Sequence, residues 1–342
     1  MSGDRVARSV AVVQGGPSSE AEVSRKSASS VAKALEEAGH HVVRHELDGH
    51  LAEALRTGGY DVVFPIVHGA VGEDGSLQGL LEVLDLPYVG SGVLASALAM
   101  HKRTAKLLFA AAGLPVAPGV ALARGAASAA EGAERALREV GDRVVVKPCS
   151  NGSAIGVTRL DGGASAADLA RAIEAAWGVD DMVLVERFAP GREVTCGVLE
   201  VAEEITRGRA LPPTEIRAPS DAFYTYQARY APGRSQHLCP APLGDRLVAR
   251  VQAVAVAAHA ALGCRDLSRA DFVVRTPEDG AAGEGEVTLL EVNTLPGFTD
   301  TSLFPEAAGI AGVPMPELCH RLISAALRRG APRRNAAVPL PR

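Results

Sequence analysis

The residues best suited to chemistry in this chain of 342 residues lie late in it: Arg269 and Asp271 in one valine-rich stretch, Glu291 and Asn293 in another. Side chains alternate along a strand, so Arg269 and Asp271 share one face of theirs, and Glu291 and Asn293 one face of theirs. Two such strands side by side would pool hard oxygen donors from Asp271, Glu291 and Asn293. With no His or Cys among them, the set suits Mg²⁺ that keeps several waters and is shared with phosphate. Either pair alone reads as polar positions on half-buried strands. The apolar flanks, Phe272 with Val274 and Val287 with Leu290, read as buried. Unpaired carboxylates in buried strands are costly, which tips the reading toward a metal.

A phosphate would need positive charge and backbone amides. No G-x-x-x-x-G-K-[ST] occurs, so a P-loop is excluded. Gly90-Ser-Gly92-Val-Leu-Ala95 matches a dinucleotide fingerprint in outline, but no Asp or Glu for a ribose lies between Gly90 and Ala130. It reads as a tight turn before a helix. Lys147 closes a valine run and precedes Gly152, Ser153 and Gly156, a loop whose amides and hydroxyl could meet phosphate oxygens. Taken alone, such a loop is more often a plain hairpin. Pro296-Gly297 forms a turn ahead of a candidate helix over residues 300–309, with Ser302 near its start, where amides could hold a carboxylate or an oxyanion. Glu20 stands at the start of another helix, either as part of its capping or as a seat for an ammonium group. His68 ends a third strand, where open α/β sheets bind ligands.

Hydrophobic periodicity predicts the elements that position these groups. Strands over 9–13, 41–47 and 61–67, with a helix over 20–38 and a polar helix between the last two strands, make a parallel α/β sheet that runs to about residue 100. A strand over 86–89 and one helix over 91–112 follow. Strands over 143–147 and 182–186 around a helix over 166–177 predict a small central unit. Strands over 194–199, 270–275 and 287–292 around a helix over 246–262 predict a third, α+β unit. The expected domains are 1–100, 101–190 and 191–330, and residues 331–342, rich in Pro and Arg, read as a disordered tail.

With 47% hydrophobic residues, the chain is long enough for more than one core. Its net charge of −5 argues against a general nucleic-acid or anionic-membrane surface. The five cysteines form no C-x-x-C pair, so neither a zinc ribbon nor a disulfide framework is indicated, and a reducing cytoplasm fits best. The apolar run after Arg5 and Arg8 is too short for a signal or spanning segment.

These segments combine into a longer pattern. It includes Gly15-Gly-x-Ser-x-Glu20-x-Glu-Val-Ser24, His68-Gly-x-x-Gly-Glu-Asp-Gly-x-Leu-Gln78-Gly and Pro87-Tyr-Val-Gly-Ser-Gly-Val-Leu-Ala-Ser-Ala97. Val146-Lys147-Pro148, Gly152-Ser153, Glu186, Gly191-Arg-Glu193, Phe223-Tyr224, Tyr230 and Cys239-Pro-Ala241 follow, then Arg269-x-Asp271 and Glu291-x-Asn293-Thr-x-Pro-Gly297. In order and spacing the chain resembles the D-alanine:D-alanine ligase family of the ATP-grasp superfamily, from about Val10 to Leu327. The resemblance implies a three-domain ATP-grasp architecture opening with a parallel α/β sheet, with ATP gripped between the central and C-terminal domains. It also implies two Mg²⁺ ions, for which Mn²⁺ could substitute, and a homodimer. Lys102, Lys147 and Arg229 would contact phosphates. Glu186, with the backbone at Arg187 and Ala189, would face the adenine, and Glu193 the ribose. Asp271, Glu291 and Asn293 would hold the metal ions. Glu20, networked with Ser153 and Tyr230 and close to His68, would bind the ammonium of a first D-alanine. Arg269 and the Gly297 N–H would stabilise the oxyanion, and Ser302 and Leu303 would receive the carboxylate of the second. A loop over 216–239 would close to protect an acylphosphate on the way to D-alanyl-D-alanine for peptidoglycan.

The chain departs from the family pattern at His101, where an aspartate is usual beside Lys102, and at Ala154 in place of a serine. Thr225 replaces an aspartate and Arg229 a lysine. These changes spare the metal trio and direct attention to the acceptor, where Tyr230 accompanies D-alanine. Two other readings follow: a related ligase of specialised metabolism or antibiotic resistance taking D-serine, D-lactate or another amino acid, and a nucleotide-binding regulator without turnover.

Overall fold

The computed structural model describes residues 6–200, 209–217 and 236–331. β1 (Ser9–Gln14), α1 (Ala21–Glu37), β2 (His41–Glu46), α2 (Leu51–Thr57) and β3 (Val62–Pro65) build a parallel sheet of order β2-β1-β3. Val10 to Val13 in the middle strand are fully buried, as a parallel strand covered on both faces requires. The turn after β1 and the segment after β3 leave the same edge and are tied there: Ser24 Oγ donates to the Ile66 carbonyl at 2.6 Å and accepts from Gly15 N–H at 2.8 Å.

Two expectations change beyond that edge. After α3 (Ser76–Val83), residues 86–89 form no strand, only one parallel bridge from Tyr88 to Val63. The helix expected over 91–112 is two, α4 (Val93–Met100) and α5 (Lys102–Ala111), because His101 is extended and caps the second. Its Nδ1 accepts from Thr104 N–H at 3.3 Å and lies 2.7 Å from Thr104 Oγ1. An imidazole thus fills the acceptor role that Asp plays at many helix starts. The Gly90-Ser-Gly92 turn is fastened, as expected of a structural turn: Asp266 accepts from Gly90 N–H at 2.8 Å and pairs with Arg329 at 2.6 and 2.9 Å.

The central unit holds β4 (Gly119–Ala123), α6 (Ala129–Glu139), β5 (Val144–Pro148), β6 (Thr158–Leu160), α7 (Ala166–Trp177) and β7 (Met182–Arg187), in an antiparallel sheet of order β4-β7-β5-β6. Both helices start on capping boxes, Ser128 with Glu131 and Ser165 with Asp168. Val120, Ala133, Val144, Ile173 and Val185 belong to a core made from this unit alone.

The remainder is a larger antiparallel sheet with helices: β8 (Arg192–Glu200), β9 (Arg209–Ala210), β10 (Thr214–Arg217), β11 (Gln236–Leu238), α8 (Asp245–Leu262), β12 (Asp266–Arg275), β13 (Glu286–Asn293), α9 (Leu303–Ile310) and α10 (Met315–Arg329). Strand order is β11-β10-β8-β12-β13, with β9 beside β8. Two shared cores fix this sheet to what precedes it. Val12, Phe64 and Ile66 pack with Phe298, Phe304 and Leu322, Phe64 meeting Phe298 edge-on at 5.7 Å. Ala105 and Phe109 of α5 pack with Val251, Phe272 and Leu289. The N-terminal sheet and α5 are thereby held against β12 and β13 by apolar burial, the dominant favourable term in folding.

Candidate active site

A cavity of about 1060 Å³ opens between the N-terminal sheet edge, the loop after β5 and the face of β8, β12 and β13. On its floor Asp271 stands opposite Glu291 and Arg269 opposite Asn293, in antiparallel register. The partner of Phe272 is Leu289, so Leu290 is an extra, bulged residue. The bulge sends Leu289 into the core and keeps Thr288 and Glu286 on the face of Asp271, where an uninterrupted period of two would have exchanged them.

The carboxylates are paired, which corrects the expectation of unpaired charges needing a metal to offset their burial. Asp271 accepts from Arg269 at 2.9 and 2.8 Å and from Thr195 Oγ1 at 2.6 Å. Glu291 lies 3.6 Å from Lys102 Nζ, and Asn293 Oδ1 accepts from Leu295 N–H at 2.7 Å. Two like charges facing each other across strands still repel, and a divalent cation between them would relieve that. Among the described residues no three His, Cys, Asp or Glu side chains form a closed metal cage. Two carboxylates and an amide facing one cavity fit Mg²⁺ completed by water and phosphate.

The opposite wall carries Glu20, His68 and Glu73. Ser18 Oγ donates to the His68 carbonyl at 2.7 Å and accepts from Glu20 N–H at 3.2 Å, locking the start of α1 to the end of the third-strand segment. Ser153 Oγ donates to Glu20 Oε1, joining this wall to the loop after β5. Ser153 and Ala154 are both left-handed, at φ 52° and 57°, a strained pair of the kind found at ligand clamps. Gly72 is required, since a Cβ there would come within 2.2 Å of the Val67 carbonyl. Burial lowers the pKa of His68, and nearby Arg269 lowers it further, against the pull of Glu20. Burial also pushes the Glu73 carboxyl up to about 8, although Gly69 N–H donates to it at 2.5 Å.

Behind the floor, Lys106 and Lys147 each pair with one oxygen of Glu186, all three sealed from solvent. Burial pushes Glu186 up, but the two ammonium groups outweigh it and hold the carboxyl below its ordinary range. Lys147 is held above its usual value, burial being outweighed by Glu186 and Glu291. Lys106 falls below its usual value because burial prevails over Glu186 there. Lys102 Nζ donates to the Asn151 carbonyl, and Lys102 N–H to Cys149 O at 2.9 Å, so α5 is bound to the glycine-bearing loop.

Known proteins match the chain in sequence and in fold. Residues 108–324 fit the model for the D-ala D-ala ligase C-terminus, and residues 48–91 that for its N-terminus. The chain belongs to the D-alanine–D-alanine ligase family. A D-alanine–D-alanine ligase of Parvibaculum lavamentivorans is 45% identical over 320 residues, covering 94% of this chain and 98% of that protein. One from Geobacter sulfurreducens is 43% identical over 321 residues, covering 93% and 94%. Among solved structures, the Bacillus anthracis ligase complexed with ATP superposes with a TM-score of 0.78 at 27% identity, covering 94% of this chain and 98% of that one. The fold is that of the ATP-grasp ligases.

In this ligase-family chain the cavity brings together Glu20, His68, Ser153, Glu193, Arg269, Asp271, Glu291, Asn293, Gly297, Ser302 and Leu303. Ser302 is the N-cap of α9, and its Oγ accepts from Thr299 N–H at 2.9 Å. Lys102, Lys147 and Glu186 are not on the cavity wall but buried behind it. Arg187 and Ala189 line a separate cavity of about 220 Å³ between the central sheet and Val273, Arg275, Glu286 and Thr288. Arg187 N–H is engaged by the Pro118 carbonyl at 2.9 Å. Tyr230 and Arg229, with Thr225 and most of the 216–239 loop, lie outside the described residues, as do residues 332–342 of the expected tail. Sequence reasoning gave no role to Glu73, Thr195 or Lys106. Glu73 stood within the quoted pattern that starts at His68, Lys106 stood one helical turn after Lys102, and Thr195 carried no signal. No helix among the described residues is long and apolar enough to cross a membrane.

Proposed function

We propose that this chain joins two D-alanines to D-alanyl-D-alanine, using ATP and releasing ADP and phosphate, for peptidoglycan. The observation that carries the reading is the single cavity with a carboxylate seat at Glu20, a basic and acidic floor at Arg269, Asp271, Glu291 and Asn293, and the Gly297–Leu303 turn at its far side. Glu20, anchored by Ser153, would take the first ammonium group. The first carboxylate oxygen attacks the γ-phosphorus as the bond to ADP breaks, giving an acylphosphate. The amine of the second D-alanine then attacks the acyl carbon, loses a proton and expels phosphate. Arg269 and the Gly297 N–H would meet the oxyanion, and Ser302 and Leu303 the second carboxylate. Lys102 and Lys147, with Arg229, would hold phosphates. Glu186 and the backbone at Arg187 and Ala189 would hold the base, and Glu193 the ribose. Tyr230 would complete the Glu20 network. Asp271, Glu291 and Asn293 would hold Mg²⁺, or Mn²⁺ in its place, which supplies charge neutralisation at the transferring phosphoryl group.

The three sheets fall in successive stretches of the chain, which supports a division at about residues 100 and 190, with α5 at the start of the central stretch packed on the core of the third sheet. The proposed homodimer rests on family resemblance, and the proposed cytoplasmic location on the cysteine pattern. The test is product analysis by mass spectrometry with ATP, Mg²⁺ and a mixture of D-alanine, D-serine and D-lactate. D-Alanyl-D-alanine as main product is expected. ATP turnover indifferent to D-alanine, or a predominant depsipeptide, would overturn the reading.

A further inference from the structure

Lys106 has no part in the reading above, yet it is one of three buried lysines among the described residues, with Lys102 and Lys147. Its ammonium pairs with Glu186, whose other oxygen is taken by Lys147. The contact crosses between units: Lys106 stands on α5, whose Ala105 and Phe109 belong to the core behind β12, while Glu186 and Lys147 belong to the central sheet. Space for the carboxylate is built in, since a Cβ at Gly119, the strand partner of Glu186, would lie 3.1 Å from Glu186 Cγ and 3.0 Å from Val185 O. Two ammonium groups share one carboxylate in this sealed cluster, and the excess positive charge is opposed from outside it by Glu291. A phosphate that draws Lys147 away leaves Lys106 as the partner of Glu186 in that cluster.

We propose that Lys106 is a positioning residue for nucleobase selection, holding Glu186 as an acceptor-only carboxylate so that the site takes a 6-amino purine and rejects a 6-oxo purine. This rests on the reading that Glu186 faces the base. An ionised carboxylate offers only acceptors, which suit an exocyclic amine. A protonated carboxyl adds an O–H donor and can serve a 6-oxo group as well. With the Lys106 charge removed, burial drives Glu186 toward the protonated form, and discrimination is lost.

The experiment compares ATP with ITP by equilibrium binding and by KM in the wild type, Lys106→Met, Lys106→Gln, Lys106→Arg and Glu186→Gln. Lys106→Met and Lys106→Gln are expected to lower the preference for ATP on the order of tenfold, while Lys106→Arg preserves it. Glu186→Gln, which carries both a donor and an acceptor, is expected to lower it as well. A lowered preference in Glu186→Gln with an unchanged one in folded Lys106→Met or Lys106→Gln would overturn the role of Lys106 alone. An unchanged preference in Glu186→Gln would overturn the base-facing reading, and the proposal with it. Because Lys106→Gln keeps a polar group in the buried space, a failure of Lys106→Met to fold does not remove the test.

Discussion

Glu186 and Asp271 are both carboxylates gripped by basic side chains, yet their surroundings differ. The Glu186 side chain is 4% exposed between lysines at 9% each, whereas Asp271 is 17% exposed beside Arg269 at 13% and faces the cavity. In the sealed group water cannot replace a lost partner, so each charge depends on the others. In the open group, water, a metal ion or a substrate oxygen can exchange with Arg269. The first group ties the central sheet to α5 around the proposed seat of the base, and the second is the proposed centre of phosphoryl transfer.

The largest effect that could break this contrast is on the open side. Glu291→Ala is expected to lower kcat on the order of 10³-fold, the loss of several kcal/mol of phosphoryl-transfer stabilisation, with little change in melting temperature. Wild-type-like turnover at saturating Mg²⁺ would remove Glu291 from the metal set. On the sealed side, Glu186→Ala strands two buried ammonium groups and is expected to cost about 3–5 kcal/mol in urea unfolding. A cost as small as that of Asp271→Ala, about 1 kcal/mol, would erase the distinction.

Glu73 sharpens the comparison: it is half-buried on the cavity wall, the charges that act on it are Glu20, Arg269 and Glu291 rather than a pair of lysines, and burial drives it up to about 8. Its folded-state value lies above its ordinary 4.5, so it contributes stability that is complete below about pH 4.5 and lost as pH rises through about 8. The melting temperature of the wild type relative to Glu73→Gln should therefore fall across that window and level off above it. A constant difference would mean that Glu73 is ionised throughout. The smallest effect is at His101→Asp, which restores a carboxylate cap at the start of α5 and should stabilise by about 0.5–1 kcal/mol with the KM for ATP unchanged. A severalfold change in that KM would show that the residue acts on Lys102 rather than on the helix.

Much of the fold was legible where periodicity is strong. The helix over 166–177 and the strands around the acidic residues were read from pattern, because amphipathic helices and half-buried strands carry their burial in their spacing. The strand over 86–89 was misread: an apolar run cannot tell whether a neighbouring strand is present to pair with it, and here only Tyr88 bridges. The break at His101 was missed because alanine and leucine on both sides favour a continuous helix, while the extended backbone at His101 comes from packing.

The sequence by itself determined which donors are available: Asp271 and Glu291 with Asn293, Glu20, and the lysines, with faces set by the period of the strands. Tertiary structure decided which of them are neighbours. The Leu290 bulge set Thr288 and Glu286 on the face of Asp271, Arg269 and Lys102 turned out to neutralise the carboxylates, and Lys106 met Glu186 between α5 and the central sheet. Charge pairing depends on distances of a few ångströms between segments far apart in the chain, and burial sets how strongly those charges act. Neither quantity is written in local sequence.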